Sequence, residues 1–280
     1  MARRRVLWIF PALLILVGLS IYPLLYSLKV SFVTIQGDWG ISNYTRILRD
    51  HLLHVSLIQT FIYVTGALTI ELILGLFLAL LVDSLGRGKY FFRGGFLAPM
   101  LLPPVVAAIV WRLIYNPQFG VLNSTLKLFG VATEKLTWTS GEGSAMASVI
   151  FVDIWEWTPF MFLLLSAGLQ SIPVEPCEAA RMDGASSFKV LKDIILPLLK
   201  PTLFLAILLR AMDLLRIFDQ IWILTQGGPG LATETVSLYI YRTAFRFFNF
   251  GYAASMSFVC LILVSLFAKS LFRMLKMSVV

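Results

Sequence analysis

Residues 178–197 read EAARMDGASSFKVLKDIILP, and this stretch decides how the rest of the chain is interpreted. Its first half predicts a short charged helix that runs from Pro176 to about Met182. Gly184 follows the helix at the position where the backbone turns left-handed, a conformation that glycine adopts at little cost. Residues 176–184 are therefore predicted to form a helix that ends in a glycine turn.

The second half of the stretch predicts another helix. Ser186 or Ser187 can cap its N-terminus. Its apolar residues recur at roughly helical spacing, and they are Phe188, Val190, Leu191, Ile194 and Ile195. Pro197 and Pro201 should interrupt this helix before the next apolar run, because proline has no N–H to donate. The stretch thus predicts a compact helix–turn–helix between two long apolar segments.

The composition points to a protein whose solvent is lipid. Of the 280 residues, 59% are hydrophobic and only 14% are charged, and the mean hydropathy is +0.86. Soluble domains carry about 25% charged residues. The net charge of +8 does not indicate a nucleic-acid partner, because the cations lie in short runs beside apolar segments and form no basic, aromatic-laced face.

Six apolar stretches are long enough to cross a bilayer of about 30 Å. They lie near residues 6–32, 55–82, 92–114, 145–169, 201–224 and 251–272. The first follows three arginines without a small-residue cleavage site, so we expect a retained signal-anchor helix. The third contains Pro99, Pro103 and Pro104, and we expect a kinked or broken helix there.

The distribution of Lys and Arg predicts that both termini are cytoplasmic. Thirteen of the 23 cationic residues fall in segments that are then internal: Arg3, Arg4, Arg5, Arg87, Lys89, Arg93, Arg181, Lys189, Lys192, Lys200, Lys269, Arg273 and Lys276. Eight fall in longer external segments: Lys29, Arg46, Arg49, Arg112, Lys127, Lys135, Arg242 and Arg246. Residues 170–200 are placed in the cytoplasm by this topology.

No catalytic or metal-binding motif is present. The chain lacks GxxxxGK[ST], GxSxG and HExxH, so we expect no ATP hydrolysis by this polypeptide. No carboxylate or cysteine completes a metal-ligand set with His51 and His54, and we interpret them as surface or interfacial residues. Cys177 and Cys260 are isolated thiols, for which neither a disulfide nor a metal is expected.

The 178–197 stretch resembles the EAA loop of ABC importer permeases, through Glu178-Ala179-Ala180, Gly184 and Leu196-Pro197 at their spacing. Further segments look like carbohydrate importer permeases, related to maltose, trehalose and glycerol-3-phosphate permeases. These segments are ELILGL at 71–76, ALL at 79–81, Phe92-Arg93, Pro99, Pro103-Pro104, Trp111, GVLN at 120–123, FDQIWILTQGGP at 218–229, Thr235 and YIYRTAF at 239–245.

The resemblance implies an all-α, polytopic protein with six transmembrane helices and the type I, MetI-like importer fold. One permease domain would span 1–280, with a core at about 55–272 and an extra N-terminal helix at 6–32. Loop 170–200 would couple to an ATPase through Glu178, Ala179, Ala180, Asp183 and Gly184. The implied partners are a second permease, two ATPase subunits that hold ATP and Mg²⁺, and an external solute-binding protein. This chain itself would bind no cofactor.

Charged residues at membrane depth suggest where the solute passes. We expect Asp153, Trp155, Trp157, Asp219 and Gln220 to line the pathway, where carboxylate, amide and indole groups suit a sugar. The alternative is a structural ladder of ion pairs, and Arg210 with Asp213 is assigned to such a role. Glu71 lies near the middle of the second stretch, and its role is either packing or gating.

The function expected from the resemblance is inward transport of a carbohydrate, with a di- or oligosaccharide favoured. Glycerol-3-phosphate or a polyol would suit the same architecture. A secondary carrier driven by protons or sodium is a rival class, but it would need no ATPase-docking loop. A membrane-embedded enzyme is a third class, and the sequence offers no paired nucleophile and base for it.

Overall fold

The computed structural model describes residues 2–84, 94–131 and 136–278. Within them the chain is helical and contains no sheet, only an isolated antiparallel bridge between Val33 and Trp39. The helices are α1 (Ala2–Ser31), α2 (Ser42–Ile47), α3 (His51–Ser84), α4 (Pro104–Ile114), α5 (Val121–Leu128), α6 (Glu142–Gln170), α7 (Glu175–Met182), α8 (Ser187–Leu214), α9 (Asp219–Leu224), α10 (Val236–Phe245) and α11 (Phe250–Ser278). The all-α prediction is confirmed.

Five of these helices are long and apolar enough to cross a membrane. Their candidate spans are Leu14–Ser31, His51–Ser84, Glu142–Gln170, Ser187–Leu214 and Phe250–Ser270. The third apolar stretch contributes the shorter helix α4 instead. A 3₁₀ turn at Pro99–Leu101 precedes it, and Pro103 is extended (φ −60°, ψ 139°) before Pro104 starts α4. The predicted break at these prolines is confirmed; the start of the stretch and the cations Arg87, Lys89, Arg93 and Lys135 lie outside the described residues.

The prediction for the fifth stretch is wrong in both of its boundaries. Helix α8 begins at Ser187, continues through Pro197 and Pro201, and ends at Leu214. A π turn at Leu191–Ile195 widens the helix directly before the first of these prolines. Because proline cannot donate to the carbonyl four residues earlier, a local shift to five-residue bonding lets the helix continue.

The C-terminal end of the predicted fifth span is a separate element. After Leu214 the chain turns, and Phe218 (φ −140°, ψ −54°) precedes the short helix α9. Asp219 and Gln220 therefore lie on α9 and not on α8. Residues 201–224 are mostly apolar, so the sequence predicts one continuous span and does not mark this turn.

The chain divides into two compact units, Met1–His54 with Tyr239–Ser265, and Val55–Leu238 with Leu266–Val280. In the second unit α6 is the most enclosed candidate span, with 61% of an apolar 18-residue window buried. Gly75 of α3 packs against it so closely that an added Cβ would lie 2.6 Å from Met161 Cβ. The apolar core of this unit is built from Ala79, Val82, Met161, Phe162, Leu165, Leu169, Leu199 and Ala206.

In the first unit, Asp50 caps α3. Its carboxylate accepts hydrogen bonds from the backbone N–H groups of Leu52 (2.9 Å) and Leu53 (3.2 Å). The other carboxylate oxygen accepts from the hydroxyls of Tyr239, at 2.7 Å, and Tyr252. Burial alone would raise the pKa of Asp50, but these four hydrogen bonds to the charged form outweigh it and lower the pKa below its ordinary value.

Candidate functional site

The predicted helix–glycine turn is present in α7. Gly184 has φ +81°, and its N–H donates to Arg181 O at 3.0 Å while the N–H of Ala185 donates to Ala180 O at 2.9 Å. These two bonds form a Schellman motif, which satisfies carbonyl groups at the end of a helix. An added Cβ on Gly184 would meet no atom within 4 Å, so only the backbone conformation selects glycine.

The second helix of the pair starts at the predicted cap. Of the two candidate serines, Ser186 precedes the helix and its Oγ accepts from the N–H of Lys189 at 3.4 Å. The helix that it caps is α8, so the turn leads directly into a membrane-length helix.

The surface around α7 exposes residues that a monomer would normally cover. Glu178, Ala179 and Asp183 are exposed, and Ala180 is half-buried. Three large apolar side chains near them are exposed as well: Val174 by 62%, Met182 by 88% and Phe188 by 72%. Charged and apolar groups are mixed here within one short segment that ends at the start of the candidate span Ser187–Leu214, a composition that suits a protein partner.

A second polar site is buried among the spans and centres on Arg210 of α8, whose side chain is 2% exposed. Its Nε donates to Glu71 Oε2 at 2.7 Å, and its Nη2 donates to Glu71 Oε1 at 3.0 Å. Nη2 also donates to Asp153 Oδ2 of α6, and Nη1 donates to Asp213 Oδ2 at 2.7 Å. The guanidinium lies over the Trp157 ring, 4.8 Å from its centroid. One cation thus joins carboxylates from three helices.

A neighbouring pair links α6 to α9. Gln220 is fully buried, and its Nε2 donates to Glu156 Oε2 at 2.7 Å. Within the described residues, Gln220 Oε1 and Glu156 Oε1 are buried and have no hydrogen-bond partner. Buried polar atoms normally find partners, so these two acceptors suggest a place for a donor from another molecule.

Most of these residues, but not Glu71 or Glu156, border a cavity of about 240 Å³. The cavity is lined by Pro104, Asp153, Trp157, Arg210, Asp213, Leu214, Arg216, Ile217, Phe218, Asp219 and Gln220. Four of the five predicted pathway residues therefore come together. Trp155 lies elsewhere: it lines an apolar cavity with Phe96 and packs edge-to-face on Trp111, with ring centroids 5.5 Å apart.

Glu71 is the residue that the sequence interpretation placed least well. Its depth in the second stretch was clear, but its partner Arg210 is 139 positions away. The sequence shows opposite formal charges in two apolar stretches, which indicates an ion pair between them but does not specify which residues form it. Among the described residues, no group of three or more His, Cys, Asp or Glu is arranged to hold a metal ion.

Comparison with known proteins gives the family. The model for binding-protein-dependent transport system inner membrane components matches residues 71–279. The chain is 38% identical over 251 residues to the trehalose/maltose transport system permease protein MalF of Thermococcus litoralis, covering 88% of this chain and 83% of that protein. It is 34% identical over 267 residues to the trehalose transport system permease protein SugA of Mycobacterium tuberculosis, covering 92% and 84%.

The fold also matches a solved structure. A chain of a bacterial ABC transporter involved in the import of the acidic polysaccharide alginate superposes with a TM-score of 0.84 at 19% identity, covering 96% of this chain and 95% of that chain. This likeness confirms the type I importer fold, and the relatives confirm the resemblance to carbohydrate importer permeases. The chain belongs to the family of binding-protein-dependent transport system inner membrane components.

Proposed function

We propose that this chain forms half of the membrane pathway of an ATP-driven importer of a carbohydrate, with a di- or oligosaccharide as the preferred class. The observation that carries the proposal is the exposed α7 segment with its Gly184 turn, joined directly to the membrane-length helix α8. Relatives named for trehalose and maltose support the solute class.

The α7 segment would dock on an ATPase subunit in the cytoplasm. Glu178, Ala179, Ala180, Asp183 and Gly184 would form the contact, helped by the exposed Met182 and Phe188. ATP and Mg²⁺ would bind to the ATPase pair and not to this chain. A second permease would complete the pathway, and an external solute-binding protein would deliver the solute. Both termini would lie in the cytoplasm, and loop 170–200 with them.

The cavity beside Arg210 would face the solute during transport. Trp157 offers an aromatic face, while Asp219 and Gln220 offer hydrogen-bond acceptors. Asp153 would act mainly by holding Arg210, to which it is already bonded. Trp155 lies outside this cavity, so we no longer include it in the proposed pathway.

Uptake by the assembled transporter in proteoliposomes tests the proposal. The complex of this chain with its permease and ATPase partners should accumulate radiolabelled trehalose or maltose only when ATP and the loaded binding protein are both supplied. Uptake driven by a proton or sodium gradient without ATP would instead identify a secondary carrier and refute the proposal.

A further inference from the structure

The charged groups around the Arg210 cavity bear on the kind of solute that it accepts. Resting on the function proposed above, we propose that this cavity binds a neutral, hydroxyl-rich solute and rejects carbohydrates that carry a phosphate, sulfonate or carboxylate group. The fold leaves this question open, because the transporter of similar fold is involved in the import of an acidic polysaccharide.

Arg210 is the buried cation that an anion would be expected to seek. A guanidinium has five N–H donors, and four of those of Arg210 are used by Glu71, Asp153 and Asp213. Trp157 covers the guanidinium as well. An anionic solute would have to displace a carboxylate that is already bonded in a buried site, which is costly. One N–H of Nη1 is left, and three carboxylates already offset the charge of Arg210, so the guanidinium is a poor site for an anion.

Arg216 is the other arginine that lines the cavity. Its side chain is 78% exposed. Its Nε donates to Met212 O at 3.2 Å, and its Nη2 lies 3.7 Å from Asp213 Oδ1. A charge that is exposed and already close to a carboxylate attracts an anion only weakly.

Carboxylates outnumber arginines around the cavity. Asp153, Asp213 and Asp219 line the cavity together with the two arginines, and Glu71 adds a fourth carboxylate directly behind Arg210. The formal charge of this group is negative, so it repels an anion. It leaves acceptor oxygens for the O–H groups of a neutral sugar.

Gln220 is the residue that most directly selects a hydroxyl donor. Its Nε2 donates to Glu156 Oε2 at 2.7 Å, so the amide oxygen is the atom left over. That oxygen is buried and has no partner within the described residues. A solute O–H would satisfy it, whereas a carboxylate or phosphate oxygen would add a second acceptor. Glu156 is thus a positioning residue for Gln220.

Equilibrium binding measured without the binding protein reports the selectivity of the cavity alone. The purified complex of this chain with its permease and ATPase partners, without binding protein, is titrated calorimetrically with trehalose and with trehalose 6-phosphate, which differ only by the phosphate. We expect trehalose to bind at least about 10-fold more tightly, a difference of about 1.4 kcal/mol.

Three variants then test the cause of the preference. Asp213→Asn removes the carboxylate charge that is bonded to Arg210 and lies near Arg216. Asp219→Asn removes a charge that lines the cavity but is not bonded to Arg210. Each should reduce the ratio of the two affinities by about 10-fold. Asp38→Asn, a change in an exposed loop of the other unit, should leave the ratio unchanged.

The outcomes separate this inference from the proposed function. Binding of neither probe, equal or tighter binding of the phosphate ester, or an unchanged ratio in both cavity variants would overturn the inference while ATP-driven uptake persists. Loss of ATP-dependent uptake in the wild-type complex would instead overturn the proposed function, and this inference with it.

Discussion

Glu71 of α3 and Arg210 of α8 form a two-point ion pair, with N–O distances of 2.7 and 3.0 Å, between side chains that are 0% and 2% exposed. The pair crosses 139 positions of sequence and joins two membrane-length helices. Breaking a buried pair leaves one charge without its partner, which typically costs about 3–5 kcal/mol.

Glu71→Ala should therefore destabilise the protein far more than a change at an exposed charge. We expect Glu71→Ala to lower the thermal unfolding midpoint of the detergent-purified protein strongly, and Glu71→Gln to lower it less, because the amide oxygen still accepts one hydrogen bond. Arg216→Ala is the matched control, since its side chain is 78% exposed and surface pairs contribute about 0–1 kcal/mol. Equal midpoints for Glu71→Ala and Arg216→Ala would contradict the role of the pair.

Gly184→Val should impair coupling to ATP hydrolysis. A β-branched residue at φ +81° is strained, so the turn that orients α7 should shift while the spans stay folded. We expect reduced stimulation of ATP hydrolysis by the loaded binding protein in an assembled complex.

Gly37→Val provides the matched control for that experiment. Gly37 has φ +92° and open space around it, as Gly184 does, but it lies in the loop between α1 and α2. Gly37→Val should introduce similar backbone strain but leave the stimulation of ATP hydrolysis normal. Wild-type stimulation in a stable Gly184→Val complex would show that the turn does not transmit the signal.

The predicted topology can be tested by cysteine labelling. In a background with Cys177 and Cys260 replaced by serine, a cysteine in place of Ser186 should react only with a reagent added from the cytoplasmic side. A cysteine in place of Ser124 should react only from outside, because the cation bias puts loop 170–200 inside. Reaction of both from one face would remove the basis for ATPase docking at α7.

Asp50 makes stability depend on pH. Its pKa is lowered in the folded state, so its stabilising effect is present above the ordinary carboxyl pKa of 3.8 and is lost as the pH falls through the lower, folded value. Asp50→Asn keeps an N-cap but removes the titrating group. The unfolding midpoint of the wild type should fall more steeply than that of Asp50→Asn as the pH is lowered from 6 to 3.

Asp219→Ala should slow uptake without preventing assembly. Asp219 is exposed to the cavity on the short helix α9, and losing a hydrogen bond to a charged partner costs about 1.5–3 kcal/mol, or about 10- to 150-fold in affinity. The initial rate of trehalose uptake below saturation should fall, and much of the ATPase activity should remain. Asp38→Ala serves as the exposed control; equal uptake in both variants would place Asp219 outside the pathway.

Local features of the fold were predictable from the sequence, and long-range contacts were not. The Gly184 turn and the Ser186 cap depend on a few neighbouring residues, and the proline break before α4 follows from missing donors. The end of α8 at Leu214 was missed because residues 201–224 are mostly apolar and their few charged residues also suit a buried helix. A span and a turn packed among spans then have similar compositions.

The candidate site was predicted in part. The expected depth in the fourth and fifth stretches grouped Asp153, Trp155, Trp157, Asp219 and Gln220, because charged and polar groups in a membrane rarely face lipid. Asp219 and Gln220 reach the same cavity from α9 and not from a span. Trp155 and Trp157 are two residues apart on α6 and therefore point in roughly opposite directions. Their spacing in the sequence does not say which of the two faces the cavity. The pairing of Arg210 with Glu71 required the packed structure.

The continuity of α8 has a mechanical consequence. Its 28 residues span about 42 Å at 1.5 Å per residue, with the Gly184 turn at one end and Arg210 near the other. A tilt of the whole helix by about 5° about one end displaces the other end by roughly 3.5 Å. Arg210 lies about 34 Å along the helix from Ser187, so the same tilt would move its backbone by roughly 3 Å, about the length of a hydrogen bond.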